Sequence, residues 1–536
     1  MEARGFALDE DALSAKRRVE FVGKSRTDPS IGLRVCYPDS FPSYPPRVLS
    51  TTPVQLRRHH RPDTKEICTF GPSRRRWLAK RSGAEAIDEA DEIIAAMGAA
   101  ESSESTYVDD VPEPASALYN YANGVFILVT PAIAAFGAAM PTGSPSRFRL
   151  RFESWPGDTA ARYGRGRGIV TEIGKRLEVK GESWQGSVLP RASALDVTGT
   201  ILRLAEPPPR FTSISEFNQW LGDNGQERTD WMAFVFPEQS GNSTTQRLAW
   251  VIVRSKQKIE HLRVFVMDGG GLATRVPGLS PLADKMVVFV GCGSLGSKIA
   301  SSLAATGLSQ FGLVDFDHLE PDNAIRHECG VSFFGVPKIV GLRQRLLELN
   351  PNVEQNVTTL NMGIGGSNEA AFESELQQLL ARGSLVVDTA GDHQVSRFLN
   401  DICGELKVPQ VYASVTNGAW GGEIVRVIPG HTACWMCWFT QYELSRPPTE
   451  PAIGPGVFAP GCDQPTFTGT SYDLGVVAGL ASSFVVDTLL IDDGAREHYE
   501  GDYIRWQIRD PDGRFVPEAK VLPVQRRNPC QFCNPN

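Results

Sequence analysis

The sequence predicts an α/β protein of three domains, and its C-terminal half carries the clearest signals. Val287 to Val290 form a short apolar run, which is typical of a buried strand in a parallel sheet. A helical segment from Ser297 to Leu303 and a second apolar run from Phe311 to Val314 follow. This alternation indicates a parallel sheet covered by helices. Upstream, strand-like segments with few helices predict two α+β domains.

Composition restricts the class of protein. At 536 residues, with 41% hydrophobic and 22% charged residues, the chain can form several ordinary globular domains. The net charge of −8 argues against broad nucleic-acid binding. The charged N-terminus lacks a signal pattern, so the ten cysteines are expected in a reducing cytoplasm. Val125 to Met140 is apolar but shorter than the ~20 residues of a membrane span, and predicts a buried core element instead.

The first domain, residues 1–105, has a distinctive order of elements. Ile31 to Tyr37 predict a strand, and the prolines that follow it exclude a helix. Next come a histidine cluster, Cys68 in an extended Ile-Cys-Thr-Phe, Trp77, and a helix predicted from Ala84 to Met97.

This order resembles the ubiquitin-conjugating enzymes. The resemblance implies that Cys68 accepts a modifier protein as a thioester. His60 stands where that family has an asparagine, and either His60 or a backbone N–H is expected to stabilise the oxyanion. The alternatives are a buried structural thiol for Cys68 and a surface basic residue for His60.

The middle domain, residues 106–270, carries few chemical signals. Glu101 to Ala115 is rich in Ser, Glu, Asp and Pro and predicts a linker. Ser213 to Leu221 predict a helix with Ser213 as its cap. Apolar or alternating runs predict strands at Phe148–Phe152, Trp231–Phe236, Leu248–Val253 and Leu262–Met267. We assign this mixed α+β domain no role.

A glycine motif follows the first apolar run of the third domain. Gly291, Gly293 and Gly296 form G-x-G-x-x-G, which brings backbone N–H groups and a helix N-terminus to one point and suits phosphate. Asp315 lies 24 residues after Gly291, a spacing that also fits an NAD-binding unit. Three polar or cationic residues favour a triphosphate over a hydride-transfer cofactor: Asn323, Arg326 and Lys338.

These residues carry a second resemblance. Asp315, Asn323 and Arg326 form D-x7-N-x2-R, and Lys338 follows a Gly-x-Pro. The pattern resembles the adenylation domain of ubiquitin-activating enzymes and their bacterial ThiF-type relatives. It implies a Rossmann-like domain over residues 271–536 that uses ATP to adenylate the C-terminal glycine of a small protein. By the same resemblance, Asp315 holds the ribose, and Asn323, Arg326 and Lys338 bind the phosphates, with Arg326 also acting in catalysis.

Two more positions follow from that resemblance. The family places a Mg²⁺-binding aspartate near the end of a strand, with an arginine five residues later. Asp392 and Arg397 have that separation, and Asp388 is the alternative ligand. Arg275 stands where family members often have an arginine that reaches the ATP of the other subunit of a dimer; the alternative is a plain linker charge.

Four cysteines indicate a metal site. Cys434 and Cys437 form one C-x2-C, and Cys530 and Cys533 form another. Two such pairs predict a tetrahedral Zn²⁺ site, because each pair supplies two thiolates. The remaining cysteines, Cys36, Cys292, Cys329 and Cys403, are expected to be structural.

Cys462 is a second candidate nucleophile. It lies in a loop dense in Pro and Gly, predicted from Pro447 to Gly469, before a helix that begins near Tyr472. Long loops in compact domains are usually functional or disordered. In activating enzymes such a loop carries the catalytic cysteine; the alternative is an incidental thiol.

Together these features predict a relay of thioesters from Cys462 to Cys68 and then to lysine-bearing target proteins. The order of modules resembles the fused ubiquitin-transferase-like proteins of bacterial anti-phage (CBASS) operons. That resemblance implies a glycine-ended modifier or a nucleotidyltransferase as the partner, a homodimer, and no membrane or nucleic acid. The alternatives are a sulfur-carrier adenylyltransferase and a scaffold whose first domain only binds a partner.

Overall fold

The computed structural model describes residues 1–52, 60–61, 64–69, 81–99, 114–154, 166–181, 194–239, 246–267, 276–353, 355–365, 369–444, 449–451, 467–491 and 500–533. The chain forms two compact units, of which the first extends to Val266 and the second runs from Met267. The first unit holds two β-sheets and the second holds one. The α/β class predicted from the sequence is confirmed.

The N-terminal sheet is antiparallel, with strand order β1-β2-β3-β4-β6-β5. Its strands are β1 (Ala7–Leu8), β2 (Glu20–Lys24), β3 (Gly32–Cys36), β4 (Arg47–Ser50), β5 (His60–Arg61) and β6 (Glu66–Ile67). Helices α1 (Glu10–Lys16) and α2 (Gly83–Ala99) accompany it. The apolar residues of α2 recur at helical spacing and pack against the buried face of the sheet.

The second sheet closes into a ring. Its strands are β7 (Tyr121–Val129), β8 (Ser146–Ser154), β9 (Gly166–Ile173), β10 (Val179–Lys180), β11 (Ala194–Arg203), β12 (Trp231–Gln239), β13 (Gln246–Arg254) and β14 (Glu260–Val266). The strand order is β10-β9-β7-β14-β13-β12-β11-β8, and β8 also pairs with β9. Because β8 has partners on both sides, this sheet has almost no free edge.

Two helices belong to this sheet, α3 (Pro131–Ala139) and α4 (Ile214–Asp223). The predicted core element from Val125 to Met140 is in fact the end of β7 followed by α3. Pro131 divides the two elements, because proline lacks the N–H that a strand needs but is tolerated at the first position of a helix. Ser213 caps α4 as predicted, since its side chain accepts the Glu216 N–H.

The sheet of the second unit has the order β17-β16-β15-β18-β19-β20-β21-β22. The parallel strands are β15 (Met286–Val290), β16 (Gln310–Val314), β17 (Val357–Leu360), β18 (Leu385–Asp388) and β19 (Gln410–Val415). Three antiparallel strands extend the sheet: β20 (Gly421–Val427), β21 (Tyr503–Arg509) and β22 (Phe515–Leu522). All five residues of β15 are buried, as expected for a strand covered on both faces.

Helices cover both faces of this sheet. One core includes residues of α5 (Ser294–Ala305), α6 (Lys338–Leu349) and α10 (Ser471–Leu489), and the opposite core includes residues of α7 (Glu369–Arg382) and α8 (His393–Leu406). The short helix α9 (Trp435–Trp438) follows β20. Among the described residues, α10 is long and apolar enough to cross a membrane, but two thirds of its apolar window is buried by packing. Its burial identifies α10 as a core helix.

Candidate functional site

The glycine turn lies between β15 and α5, at the carboxyl edge of the parallel strands. Gly291 has a φ of +91°, and a Cβ there would lie 2.6 Å from the backbone of Thr389 and Ala390. A Cβ at Gly296 would lie 2.1 Å from the Gly291 carbonyl oxygen. A Cβ at Gly293 would meet nothing within 4 Å. Two glycines therefore allow close packing, and the space beside the third is open to a ligand.

Asp315 lies directly after β16, beside this turn. Its Oδ2 accepts the N–H of Cys292 at 2.7 Å, and its Oδ1 accepts the N–H of Asp317 at 2.8 Å. The carboxylate is thus fixed by two backbone groups at the point where the sequence motif predicts a ribose. An ionised carboxylate can accept further hydrogen bonds, so both oxygens remain able to bind hydroxyl groups.

Asn323 and Arg326 follow on a short 3₁₀ helix, Pro321–Ile325, and its cap. The Asn323 side chain accepts the N–H of Glu320 and helps to cap that helix. The Arg326 guanidinium donates to the carbonyl oxygen of Phe467 at 3.3 Å and lies 5.9 Å from the centre of the Phe467 ring. Arg326 therefore contacts the last part of the predicted Cys462 loop.

Lys338 begins α6, and its ammonium group pairs with Asp317 at 2.5 Å. Burial acts to raise the pKa of Asp317, but the hydrogen bond and charge of Lys338 and the N–H of His318 together outweigh burial, and the pKa is lowered. The Lys338 side chain is only 14% exposed, whereas that of Asp317 is 49% exposed. A bound phosphate would compete with Asp317 for this ammonium group.

His327 was missed by the sequence reasoning. Its Nε2 lies 2.9 Å from the Cys292 carbonyl oxygen, and its Nδ1 accepts the N–H of Cys329 at 3.0 Å. The ring therefore carries its proton on Nε2 and donates it to the glycine turn. Burial lowers the pKa of His327, which keeps the ring neutral. Its position directly after Arg326 is the one signal that pointed to it.

Lys298 on α5 was also missed. Its buried ammonium group contacts Glu328 at 2.7 Å and the Ser471 hydroxyl at 2.8 Å. These contacts connect α5, the segment after Arg326 and the start of α10. Lys298 thus fixes the base of the site rather than facing a ligand.

Asp388 and Asp392 have different environments. β18 ends at Asp388, which is fully buried, whereas Asp392 is exposed and caps α8 by accepting the Gln394 N–H at 2.7 Å. The Asp388 Oδ1 accepts the Ala390 N–H at 3.2 Å, and its Oδ2 has no hydrogen-bond partner among the described residues. Burial raises the pKa of Asp388 from 3.8 to about 6. Of the two carboxylates, that of Asp392 is the one accessible to a ligand.

We expect Asp388→Asn to stabilise the protein near neutral pH. Because the folded chain holds this proton more tightly than the unfolded chain, wild-type stability falls as pH rises from about 4 to about 6. Asparagine keeps an acceptor for Ala390 and carries no charge. The gain should reach at most about 3 kcal/mol at pH 7.5 and vanish near pH 4. The gain in stability can be tested by measuring thermal midpoints from pH 4 to pH 7.5 without nucleotide. The exposed Asp401→Asn is the control. A gain independent of pH would contradict the assignment.

The four predicted metal ligands converge. The sulfur atoms of Cys434 and Cys437 lie 3.7 Å apart, those of Cys434 and Cys530 3.7 Å, and those of Cys437 and Cys533 3.6 Å. All four lie within 4.8 Å of one another. Four thiolates at ~2.3 Å from Zn²⁺ are separated by roughly 3.8 Å, so this donor set fits zinc.

Hydrogen bonds to the sulfurs support the same assignment. The Arg527 N–H donates to the Cys437 sulfur at 3.3 Å. Burial acts to raise the pKa of Cys530, but the N–H groups of Cys533 and Phe532 lower it, and the result is about 7. Zn²⁺ binds the thiolate form, which these N–H groups favour, whereas burial raises the pKa of Cys434 and raises that of Cys437 to about 11.

We expect Cys437→Ser, or deletion of the last eight residues, to remove zinc and destabilise the second unit. Structural zinc sites contribute on the order of 10 kcal/mol in small domains, so the loss should exceed that of an ordinary core substitution. Metal analysis should give one zinc per chain for the wild type and for the control Cys36→Ser. A wild-type protein that is purified without chelator and contains no zinc would refute the site.

The other four cysteines predicted to be structural have that environment. Cys292, Cys329 and Cys403 are buried, and Cys36 is half-buried. Burial raises the pKa of Cys36 to about 11 and those of Cys329 and Cys403 to about 12. Such thiols are poor nucleophiles at neutral pH.

Of the two nucleophiles of the predicted relay, Cys68 lies within the described residues and Cys462 does not. Cys68 directly follows β6 and is half-buried. His60 pairs with Ile67 across the β5–β6 hairpin, so its backbone lies one position from that of Cys68; its side chain lies outside the description. Cys462 and Arg275 lie outside the described residues.

Comparison with known proteins places this site in a family. The model of the ThiF family matches residues 254–523, which is half of the chain. The uncharacterized protein y4qC of Sinorhizobium fredii (strain NBRC 101917 / NGR234) is 26% identical over 98% of this chain and 93% of its own length. The similarity to y4qC therefore includes the first half of this chain as well as the second.

Other relatives match only parts of the chain. The adenylyltransferase and sulfurtransferase MOCS3 of Xenopus laevis is 27% identical over 48% of this chain and 51% of its own. The ubiquitin-like modifier-activating enzyme 5 of Oryza sativa subsp. japonica is 28% identical over 40% of this chain and 50% of its own. The match thus spans about half the length of both enzymes, and 36% of the protein y4oA of Sinorhizobium fredii.

The crystal structure of E. coli MccB with ATP is 19% identical over 48% of this chain and 69% of its own, with a TM-score of 0.36. With the ThiF model matched across the glycine turn, the Asp315 to Lys338 segment and the first cysteine pair, the chain belongs to the ThiF family.

Proposed function

We propose that this protein adenylates the C-terminal glycine carboxylate of a small partner protein with ATP. One observation carries the proposal. An open glycine turn and a fixed carboxylate at Asp315 follow strand ends of one sheet, and Lys338 and the exposed Asp392 lie at helix starts of the same sheet. Arg326 ends the short 3₁₀ helix that follows Asp315. The names of the MOCS3 and modifier-activating relatives, which are enzymes of adenylylation and activation, support it.

The reaction requires charge stabilisation more than covalent chemistry from the protein. The glycine carboxylate attacks the α-phosphorus of ATP, and pyrophosphate leaves with the electrons of the broken P–O bond. Asp315 binds the ribose hydroxyls, while Asn323, Arg326 and Lys338 neutralise charge on the phosphates. Asp392 fits Mg²⁺, because its exposed Oδ2 is available while Oδ1 accepts the Gln394 N–H. Bound Mg²⁺ would neutralise the negative charge of the triphosphate.

We further propose that the acyl group then passes along two thiols. The Cys462 thiolate attacks the adenylate carbonyl and releases AMP, and the Cys68 thiolate attacks the resulting thioester and frees Cys462. A lysine amine of a target takes the acyl group from Cys68. Two observations support the choice of these thiols: Cys68 is half-buried beside the β5–β6 hairpin, and Arg326 contacts Phe467 in the predicted Cys462 loop.

The proposed partners are a glycine-ended modifier or nucleotidyltransferase protein, and a second copy of this chain. Large apolar side chains are exposed around the phosphate-binding segment, among them Ile325 and Val331 at 60% and 75%. We propose that a dimer covers these side chains and that Arg275 of one copy acts at the nucleotide site of the other. A role in anti-phage defence rests on the resemblance of the module order alone.

A sulfur-carrier adenylyltransferase is the second candidate, favoured by the MOCS3 match. It would require the same adenylation site but neither Cys68 nor transfer between thiols. The two candidates therefore differ in whether the first unit carries a covalent intermediate.

The test is to identify the partner and then measure its activation. A Cys68→Lys chain, purified from its host, should retain the modifier as an amide, and mass spectrometry should find a peptide ending in glycine. The identified protein should then support ATP–pyrophosphate exchange, and a version lacking its last glycine should not. Absence of exchange with every protein so identified would refute adenylation.

A further inference from the structure

The glycine turn is held at three successive polar atoms of its backbone. The carbonyl oxygen of Gly291 accepts the hydroxyl of Thr389 at 2.6 Å. The N–H of Cys292 donates to the carboxylate of Asp315 at 2.7 Å, and the carbonyl oxygen of Cys292 accepts the ring N–H of His327 at 2.9 Å. The backbone of the turn is therefore fixed by side chains from three other segments.

The next polar group along the turn has no such partner. The N–H of Gly293 has no acceptor within the described part of the chain, although the carbonyl oxygen of Gly293 accepts the N–H of Ser297 at 2.9 Å. The space beside Gly293 is open, and the residue lies directly before α5. An unpaired N–H at the start of a helix is a donor that suits an anion.

The direction of this N–H is set by the peptide group to which it belongs. The carbonyl of Cys292 and the N–H of Gly293 form one trans peptide group, whose C=O and N–H bonds point in opposite directions. The His327 ring holds the carbonyl and therefore also fixes the direction of the N–H. A donor on the carbonyl oxygen polarises the peptide group as well, which strengthens the N–H as a hydrogen-bond donor.

The His327 ring is itself held in the orientation that this contact requires. Its Nδ1 accepts the N–H of Cys329 at 3.0 Å, which leaves the ring proton on Nε2. The His327 side chain is buried, and burial lowers its pKa, so Nδ1 stays available as an acceptor. The backbone N–H of His327 donates to the carbonyl oxygen of Asn323 at 2.8 Å. His327 thus connects the glycine turn to the short helix that carries Asn323 and precedes Arg326.

We propose that His327 is a positioning residue of the nucleotide site, which directs the N–H of Gly293 at a phosphate oxygen of ATP. This inference rests on the proposed use of ATP. Arg326 and Lys338 supply positive charge to the phosphates, whereas His327 acts through the backbone of the turn and does not touch the nucleotide. Hydrogen bonds to charged oxygens are about twice as strong as neutral ones, so the direction of this N–H affects the affinity for ATP.

Two substitutions separate the two hydrogen bonds of the ring. The amide nitrogen of glutamine is as many bonds from Cβ as Nε2 of histidine, so His327→Gln keeps the donor to Cys292 and loses the acceptor for Cys329. The amide oxygen of asparagine corresponds to Nδ1, so His327→Asn keeps the acceptor and loses the donor. Each variant loses one buried hydrogen bond, and both should lower the thermal midpoint by a similar few degrees. A purely structural role of His327 would therefore affect the two variants alike.

Nucleotide binding measured without a partner protein tests the proposal. The probes are ATP and adenosine, each used to displace a fluorescent ATP analogue from the full chain. His327→Asn should weaken ATP binding about tenfold, the effect of one hydrogen bond to a charged oxygen, and change adenosine binding by less than about twofold. His327→Gln should bind ATP within about twofold of the wild type. The control His431→Asn, at an exposed histidine of the same unit, should match the wild type for both probes.

Equal ATP affinities of His327→Asn and His327→Gln would overturn the proposal, and so would an equal loss of affinity for ATP and adenosine. Exchange measured with the identified partner separates this result from the proposed function. If ATP binds with the stated pattern and no partner supports exchange, adenylation is wrong and the role of His327 stands. If exchange occurs and the two variants have the same KM for ATP, adenylation stands and the role of His327 is wrong. A wild type that does not bind ATP would refute both.

Discussion

Asp392→Ala is expected to reduce partner-dependent ATP–pyrophosphate exchange by at least about 1,000-fold. The substitution removes the exposed carboxylate that fits Mg²⁺ and also the acceptor that caps α8. Loss of a group that stabilises transition-state charge costs about 100- to 1,000-fold, and loss of metal adds to it. Arg326→Ala should reduce exchange about 100-fold, because it removes a group that stabilises charge in the transition state but no metal ligand.

The measurement needs a control for folding. Glu405→Ala on the exposed side of α8 changes the same helix without touching the site, and should retain full exchange. Thermal midpoints should show that Asp392→Ala loses no more than the ~1 kcal/mol typical of a lost helix cap. Exchange that persists in both Asp392→Ala and Arg326→Ala would exclude this site as the adenylation centre.

The second prediction is that Cys462 and Cys68 carry the modifier in sequence. In the proposed reaction the adenylate forms at the carboxyl edge of the parallel strands, so we expect the loop cysteine to attack first. Thioester exchange to a second thiol is nearly neutral in free energy. Cys462→Ala should therefore remove both thioesters. Cys68→Ala should leave the Cys462 thioester intact and stop conjugation.

Non-reducing gels with and without added thiol distinguish these species, and Cys36→Ala in the first unit is a matched control. Both cysteines of that unit are half-buried, but burial raises the pKa of Cys36 to about 11 and makes it unreactive. Normal charging of Cys68 in Cys462→Ala would show that the loop cysteine is not catalytic. Continued target modification in Cys68→Ala would favour the sulfur-carrier alternative or a docking role for the first unit.

Short sequence motifs were sufficient to predict the glycine turn and the two cysteine pairs. Gly291, Gly296 and Asp315 are close in sequence, and their roles follow from backbone geometry that a short motif specifies. The two C-x2-C pairs are 96 residues apart, but tetrahedral thiolate chemistry allowed their convergence to be predicted.

Contacts between distant segments were not predictable in this way. Thr389 donates to the Gly291 carbonyl across 98 residues, and no motif marks it. The second sheet closes because β8 pairs with both β9 and β11. The alternation of apolar and polar residues predicts a strand but does not specify its partners. The strand ends at Asp388 and not at Asp392, and three residues separate the buried carboxylate from the helix cap. The motif does not specify this separation.

The four-cysteine cluster also has a consequence for synthesis of the chain. Cys434 and Cys437 leave the ribosome 96 residues before Cys530 and Cys533. At ordinary elongation rates this is a delay of roughly 5–20 s, during which the aromatic rings of α9 lack their C-terminal cover. A metal bound by all four cysteines could therefore complete its coordination only after Cys533 has been synthesised. A prematurely terminated chain would expose an open cysteine pair and apolar rings, a state that chaperones and proteases recognise.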